Sequence, residues 1–368
     1  MKSNKSGYSR AFNLPRIESR ALKYGYSNAR VRAMKGLLLK PAFLDELIKV
    51  RTVSAMVELL ERTGYKEDLV ALSLGRRDSS LVEIAAARNF MRVSSKLKRM
   101  APGEDRKTVE SLLVRWDLLN LKVLINGLKA GKKFEDLKSY LFAIGRLSEK
   151  DFELLAHSQD FISDLKRTPV GKELAAVSEG LQAKTKFAIN ADTNAEAFLK
   201  LQSLLDSGIY SLMENSLSYG GSDTARIRRI LKKEIDAKNI MIIQRMKTYS
   251  VPADRVRSYL VRGGSLGRSA TEQLITAKDM SVAYRLLKQH FRNLELPENS
   301  SLVDVEVSLE KAIAAEKLAA FHRSILSIGV LLGFILLKEE ELNNLRKIAK
   351  AKEFGMPEQE VRKMLVAV

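Results

Sequence analysis

The stretch Arg115–Leu147, RWDLLNLKVLINGLKAGKKFEDLKSYLFAIGRL, returns without gaps at Glu234–Leu266, EIDAKNIMIIQRMKTYSVPADRVRSYLVRGGSL. Asp117 falls on Asp236, Asn120 on Asn239, Ser139-Tyr140-Leu141 on Ser258-Tyr259-Leu260, Gly145 on Gly264 and Leu147 on Leu266. A third copy closes the chain: Glu341–Val366 laid over Asp236–Val261 matches Asn344, Ile348, Lys352, Pro357, Val361, Arg362, Leu365 and Val366 to Asn239, Ile243, Lys247, Pro252, Val256, Arg257, Leu260 and Val261. A period of roughly 105 to 120 residues is too long for a solenoid repeat and suggests triplicated domains. Apolar residues recur at three and four spacing along most of the chain, so each copy reads as helix, turn, helix, and the fold class is all-α.

The third copy stops halfway, at the end of the sequence. Its missing half is expected from the N-terminal part, so the chain would begin and end inside one domain. The boundaries that follow are a basic extension at 1–23, an N-terminal helical domain at 24–110 completed by 331–368, a second repeat at 111–222 and a third at 223–330. Tyr219-Gly220-Gly221-Ser222-Asp223 is the best linker signal, and Ala101-Pro102-Gly103 and Leu296-Pro297-Glu298-Asn299 are lesser breaks. Helices are predicted over Tyr26–Leu39, Phe43–Lys49, Val53–Thr63, Leu81–Met100, Ser111–Ala130, Phe134–Ile144 and Glu149–His157, and Trp116 reads as core.

With 368 residues, 45% of them hydrophobic, the chain can bury several cores. The lack of cysteine excludes a disulfide framework and thiolate metal sites, and His157, His290 and His322 are too scattered for a helical metal pair. The uncharged run Ser324–Leu337 falls short of the about 20 residues that a spanning helix needs. Residues 1–23 carry Lys2, Lys5, Arg10, Arg16, Arg20 and Lys23 against Glu18 alone, without the apolar region of a secretory signal, and read as a partly disordered basic tail.

No catalytic constellation stands out. The segment Arg262-Gly263-Gly264-Ser265-Leu266-Gly267-Arg268-Ser269 imitates a phosphate loop but lacks its glycine spacing, its Lys-Ser/Thr ending and its preceding strand. Asp117, Asp236 and Glu341 each stand three residues before an asparagine. Their repetition argues for a structural task near a helix start, where the dipole and capping hydrogen bonds favour an acid, rather than for catalysis. No cofactor and no small-molecule substrate are expected.

A net charge of +19 with pI ≈ 9.8 calls for acidic company. On the helix predicted at Leu81–Met100, Arg88, Arg92, Lys96 and Arg99 group away from an apolar stripe; Arg226, Arg229 and Lys233 do the same farther along. These seven residues are the candidate contacts to a partner or to anionic lipid headgroups, against the plain reading of a solvated face.

Tyr26-Ser-Asn-Ala-Arg-Val-Arg-Ala-Met34 with Leu37-Leu-Leu39 resembles the opening of the C subunit of archaeal-type (A-type) ATP synthases, the relative of the d subunit in vacuolar ATPases. Trp116-Asp117-Leu-Leu-Asn120-Leu-Lys-Val-Leu-Ile125 is similar to the family's middle repeat. Lys338-Glu-Glu-Glu-Leu-Asn-Asn344-Leu-Arg-Lys-Ile348 and Pro357-Glu-Gln-Glu-Val-Arg-Lys-Met-Leu365 are similar to its C-terminal end. The resemblance covers about Tyr24 to Val368 and is weakest over 1–23. It implies a funnel of three similar domains around a pseudo-threefold axis, with a central cavity. It also implies a non-catalytic rotor subunit, peripheral on the cytoplasmic face of the membrane. Such a subunit sits on the proteolipid ring and receives the central-stalk subunits D and F, while ATP is handled elsewhere. The rival reading is a helical nucleic-acid-binding protein, which expects stacking aromatics and a steep salt dependence. On the family reading no nucleic acid is expected.

Overall fold

A computed structural model describes residues 16–72, 78–177, 189–190, 192–218, 221–277, 280–292, 294–296 and 300–366. Its helices run in the order α1 (Arg16–Lys35), α2 (Pro41–Lys49), α3 (Val53–Leu60), α4 (Lys66–Val70), α5 (Ser79–Met100), α6 (Asp105–Leu113) and α7 (Arg115–Lys129). The chain continues through α8 (Phe134–Leu137), a 3-10 turn at Lys138–Tyr140, α9 (Glu149–Ala156), α10 (Phe161–Arg167), α11 (Pro169–Val177) and α12 (Ala195–Ser216). It closes with α13 (Ser222–Thr248), α14 (Ala253–Ser258), α15 (Arg268–Thr276), α16 (Met280–His290), α17 (Leu302–Arg323), α18 (Ile328–Glu353) and α19 (Glu358–Met364). No strand occurs among the described residues, so the fold is all-α. The expected helix over 111–130 is two helices, bent at Val114. The first helix begins at Arg16 rather than Tyr26, so the end of the basic N-terminal stretch is helical. Within the Tyr219–Asp223 break, 219–220 lie outside the described residues, as do 297–299 of the next.

The three copies share their backbone chemistry. α7, α13 and α18 end on a residue of positive φ, namely Gly131 (75°), Ser250 (53°) and Gly355 (63°). The N–H of the next residue reaches back five positions each time: Lys132 to Gly127 at 3.0 Å, Val251 to Met246 at 3.0 Å, and Met356 to Ala351 at 2.8 Å. This is the closure that satisfies the last carbonyls of a helix and reverses the chain. The following short element (α8, α14 or α19) ends in a segment gripped by the asparagine of the repeat. Asn120 exchanges two hydrogen bonds with the backbone of Phe142 (2.6 and 2.9 Å), Asn239 with Val261 (2.8 and 2.8 Å) and Asn344 with Val366 (2.7 and 3.1 Å).

The acid of each repeat pins the start of the next helix. The Asp117 carboxylate accepts the N–H groups of Arg146 (2.8 Å) and Leu147 (3.0 Å) ahead of α9, and Asp236 accepts those of Ser265 (3.1 Å) and Leu266 (3.0 Å) ahead of α15. In the third copy the receiving loop lies near the other end of the chain: Glu341 accepts the N–H of Leu39, just ahead of α2. A Cβ on Gly145 or Gly264 would overlap the aspartate beneath it, which is why both are glycine. Leu37 holds the corresponding place in the third loop, and there the acid is the longer glutamate. The role of these acids is structural, as their repetition predicts, but the position differs from expectation. Asp236 and Glu341 sit in the middle of long helices, so they neither cap their own helix nor meet its dipole.

α18 is buried along nearly its whole first half, from Ile328 to Glu339. A helix that is apolar all round belongs in the interior of a fold, and α1, α3, α5, α6, α13, α17 and α19 surround this one. The uncharged run at 324–337 is therefore core, and no helix among the described residues is long and apolar enough to cross a membrane. Asn28 binds both backbone groups of Ser327 (3.1 and 3.0 Å), Lys352 donates to the carbonyls of Ile48 and Val50, and Arg362 pairs with Asp45. These contacts tie residues 28–50 to residues 327–362.

Candidate functional site: an ion-paired cavity between the repeats

α7, α13 and α18, together with α12 and α17, line a cavity of about 810 Å³. Each repeat helix contributes the same face. Arg115, Glu234 and Glu339 occupy equivalent repeat positions and all three line it, as do Leu119, Lys238 and Asn343, and again Lys122, Met241 and Arg346.

Three equivalent residues meet in an ionic knot. Arg115 Nη2 lies 2.7 Å from Glu234 and its Nη1 lies 3.1 Å from Glu339. Lys317, from α17, reaches Glu234 at 2.6 Å and Glu340 at 2.7 Å. Burial raises the cost of every charge here, and complementary partners decide which are kept. Burial acts to raise Glu234, but Arg115 and Lys317 outweigh it and hold its carboxyl down at about 2. Burial wins at Glu339, pushing it above the ordinary value against the pull of Arg115 and Lys317. Farther along the wall Asp206 accepts from two lysines, Lys122 at 2.8 Å and Lys238 at 2.6 Å. Burial, reinforced by Lys122 and opposed by Asp206, lowers the Lys238 ammonium to about 8. Arg346 lies over the Trp116 ring at 5.9 Å, and Trp116 stacks on Phe90 at 4.7 Å, so the tryptophan is core, as expected.

The seven basic candidates do not form one surface. Arg88, Lys96 and Arg99 are exposed on α5, whereas Arg92 is half-buried and paired within the chain, bridging Glu67 at 2.9 Å and Asp68 at 2.7 Å. Arg229 is exposed. Arg226 pairs with Asp223 at 3.0 Å, and Lys233 donates to the carbonyl of His290 and lies over the Phe291 ring at 4.8 Å. The wall cations Lys122, Lys238, Lys317 and Arg346 escaped the sequence reading. The repeat register, which stacks Arg115, Glu234 and Glu339, was the signal that could have found the cavity.

One grouping imitates a hydrolase. Ser265, His290 and Asp236 converge, but the Ser265 hydroxyl (2.6 Å) and His290 Nε2 (2.7 Å) both bond the same Asp236 oxygen. A nucleophile needs its base between itself and the acid. Here the serine and the histidine both secure the acid that pins α15. The loop at 262–269 gives the N–H groups of Ser265 and Leu266 to that carboxylate, so the anion it cradles is the chain's own. Among the described residues no cluster could hold a metal ion.

A helical body built on a repeat, in which the repeated acids and asparagines and the wall ion pairs hold its own parts together, has the form of a structural protein. Residues 27–364 match the family model described as ATP synthase (C/AC39) subunit. The chain is 25% identical over 349 residues to the C subunit of the V-type ATP synthase of Deinococcus radiodurans, covering 94% of this chain and 91% of that one. It is 26% identical over 356 residues to the C subunit of the A-type ATP synthase of Methanosphaera stadtmanae, covering 93% and 88%. A similar likeness, 25% over 353 residues with 93% and 90% coverage, holds for the A-type C subunit of Pyrococcus abyssi. The chain belongs to the ATP synthase C/AC39 subunit family, a family of structural, non-catalytic stalk subunits within a membrane-associated complex.

Proposed function

We propose that this subunit docks the central stalk, subunits D and F, onto the membrane proteolipid ring on the cytoplasmic face, and transmits torque between ion translocation and ATP chemistry. We further infer that the three repeats stand around a pseudo-threefold axis, as a funnel, with the N-terminal domain, 24–110, completed by 331–368. The observation that carries this reading is the cavity walled by equivalent faces of α7, α13 and α18. A socket of that kind suits the end of a shaft. Its lining is cross-linked by ion pairs, and a close-packed body with short turns passes on a load instead of absorbing it.

The test is affinity purification of the tagged chain from mildly solubilised membranes, with mass spectrometry of what accompanies it. Recovery of stalk, catalytic and proteolipid subunits is expected. Recovery from the soluble fraction with nucleic acid and no ATP synthase subunit overturns the reading.

A further inference from the structure

Outside the knot the cavity wall carries five cations, Lys122, Lys238, Arg245, Arg346 and Lys347, against three carboxylates, Asp206, Glu306 and Glu310, among the described residues. Arg245 is matched by Glu306 at 2.8 Å, and Lys347 by Glu310. Lys122 and Lys238 are left to share Asp206. Among the described residues no hydrogen bond or ion pair reaches the Arg346 guanidinium, which lies over the Trp116 ring with its Nε buried. Burial draws Arg346 below its ordinary value, and Glu83 and Glu339 oppose this from beyond ion-pair reach. The knot's extra acid does not answer these cations, since Glu339 is engaged by Arg115. Two positive charges are thus surplus on a half-buried wall, where an unanswered charge is costly. The same wall is apolar and open: Met241 lines it, and Leu119 and Leu199, which line it too, are 40% and 44% exposed.

We propose that this wall is a seat for acidic side chains: the tip of a stalk helix enters the cavity, lays an apolar side on Leu119, Leu199 and Met241, and brings carboxylates to Arg346 and to the pair Lys122 and Lys238. Charge complementarity selects the chemistry. A guanidinium offers a planar fork that fits a carboxylate, and two ammonium groups that hold one acid can accept a second. Volume selects the form. A helix about 10 to 12 Å across fills roughly 400 to 600 Å³ per turn. The cavity of about 810 Å³ therefore holds one to two turns, a tip and not a length of shaft. The seat rests on the docking role proposed above and adds the chemistry that the stalk must present there.

The test titrates the full chain with the purified stalk subunits D and F of the same complex, at low and high salt. Arg346→Met and Lys238→Asn introduce the residue types that the repeat itself carries at the equivalent positions, Met241 and Asn343. Each is expected to weaken stalk binding about tenfold, and the two together to flatten its salt dependence. The Tm of the free chain holds, because each removes a surplus cation and Asp206 keeps Lys122. Arg346→Lys, which preserves the charge, retains most of the affinity. In the parent complex a carbodiimide, which joins amines to carboxylates in contact, links Lys122 or Lys238 to an acidic residue of the stalk, read by mass spectrometry. Variants that bind the stalk like the parent overturn the seat and leave the docking role standing. So does a loss of affinity that comes only with a fall in Tm, which marks the cations as structural. Phosphate that raises the Tm of the parent but not of Arg346→Met, with stalk binding unchanged, gives the seat to a free anion instead. A parent chain that takes up no stalk subunit overturns both readings.

Discussion

Asp117 and Asp236 do the same job in two repeats, yet their surroundings set them apart. Burial raises Asp117 to about 6, with the N–H groups of Arg146 and Leu147 and the charge of Arg146 pulling it back. At Asp236 burial is overcome by His290, Ser265 and Leu266, and the carboxyl lies below its ordinary value. The signs are opposite. Asp117 contributes stability fully below its unfolded value of 3.8 and loses that contribution as pH rises through about 6. Asp236 contributes above 3.8 and loses it as pH falls through its depressed value. Relative to Asp117→Asn, the parent is expected to lose on the order of 3 kcal/mol of advantage between pH 4 and 7.5, read by urea unfolding. Ser250 offers a second measurement. It takes the left-handed conformation that glycine takes in the other two copies, so Ser250→Gly should raise stability by about 0.5–1 kcal/mol, visible as a higher Tm. The repeat register places Ser250 opposite Gly131 and Gly355; the backbone sign that gives the pairing its meaning needed coordinates.

At the scale of the element, the asparagine grip decides whether a repeat closes. Asn344→Ala removes two buried hydrogen bonds and leaves both backbone groups of Val366 without their partner, and it is expected to cost about 2–4 kcal/mol. Asn120→Ala should cost a similar amount at Phe142, whereas Asn239→Ala, at a half-buried site, should cost less; thermal unfolding of the three variants ranks them. Most of the helices up to residue 157 and the repeat were legible because periodicity and spacing are local properties, but the helix expected over Phe134–Ile144 stops at Leu137 and continues only as a 3-10 turn to Tyr140. The fate of a charge was not legible. On α5 the sequence groups Arg92 with Arg88, Lys96 and Arg99, but α4 brings Glu67 and Asp68 against Arg92 alone. Lys233 likewise reads as surface in the sequence, while α16 folds back over it. The start of α1 at Arg16 was missed because residues 19–23 all face outward and show no buried stripe.

Across the whole molecule, the knot of Arg115, Lys317, Glu234, Glu339 and Glu340 joins α7, α13, α17 and α18. Arg115→Met strands Glu234 and Glu339 with one buried cation fewer and is expected to cost about 3–5 kcal/mol, while Arg115→Met/Glu339→Gln recovers part of it; guanidinium unfolding distinguishes the two. The cavity that this knot underlies was only half legible. The repeat set three equivalent helices side by side on paper, but which face each turns to the others depends on packing across the chain. The contacts between the two chain ends carry one more consequence. Glu341 grips Leu39, Asn344 grips Val366, and α18 packs along α5. A ribosome releases Leu39 and α5 well before α18 and Val366, so the earlier helices must wait, with their apolar sides uncovered, for the later ones. Synthesis from one end thus leaves the oldest part of the chain to be finished by the youngest, and a ribosome stalled before α18 holds a chain that no amount of time can complete.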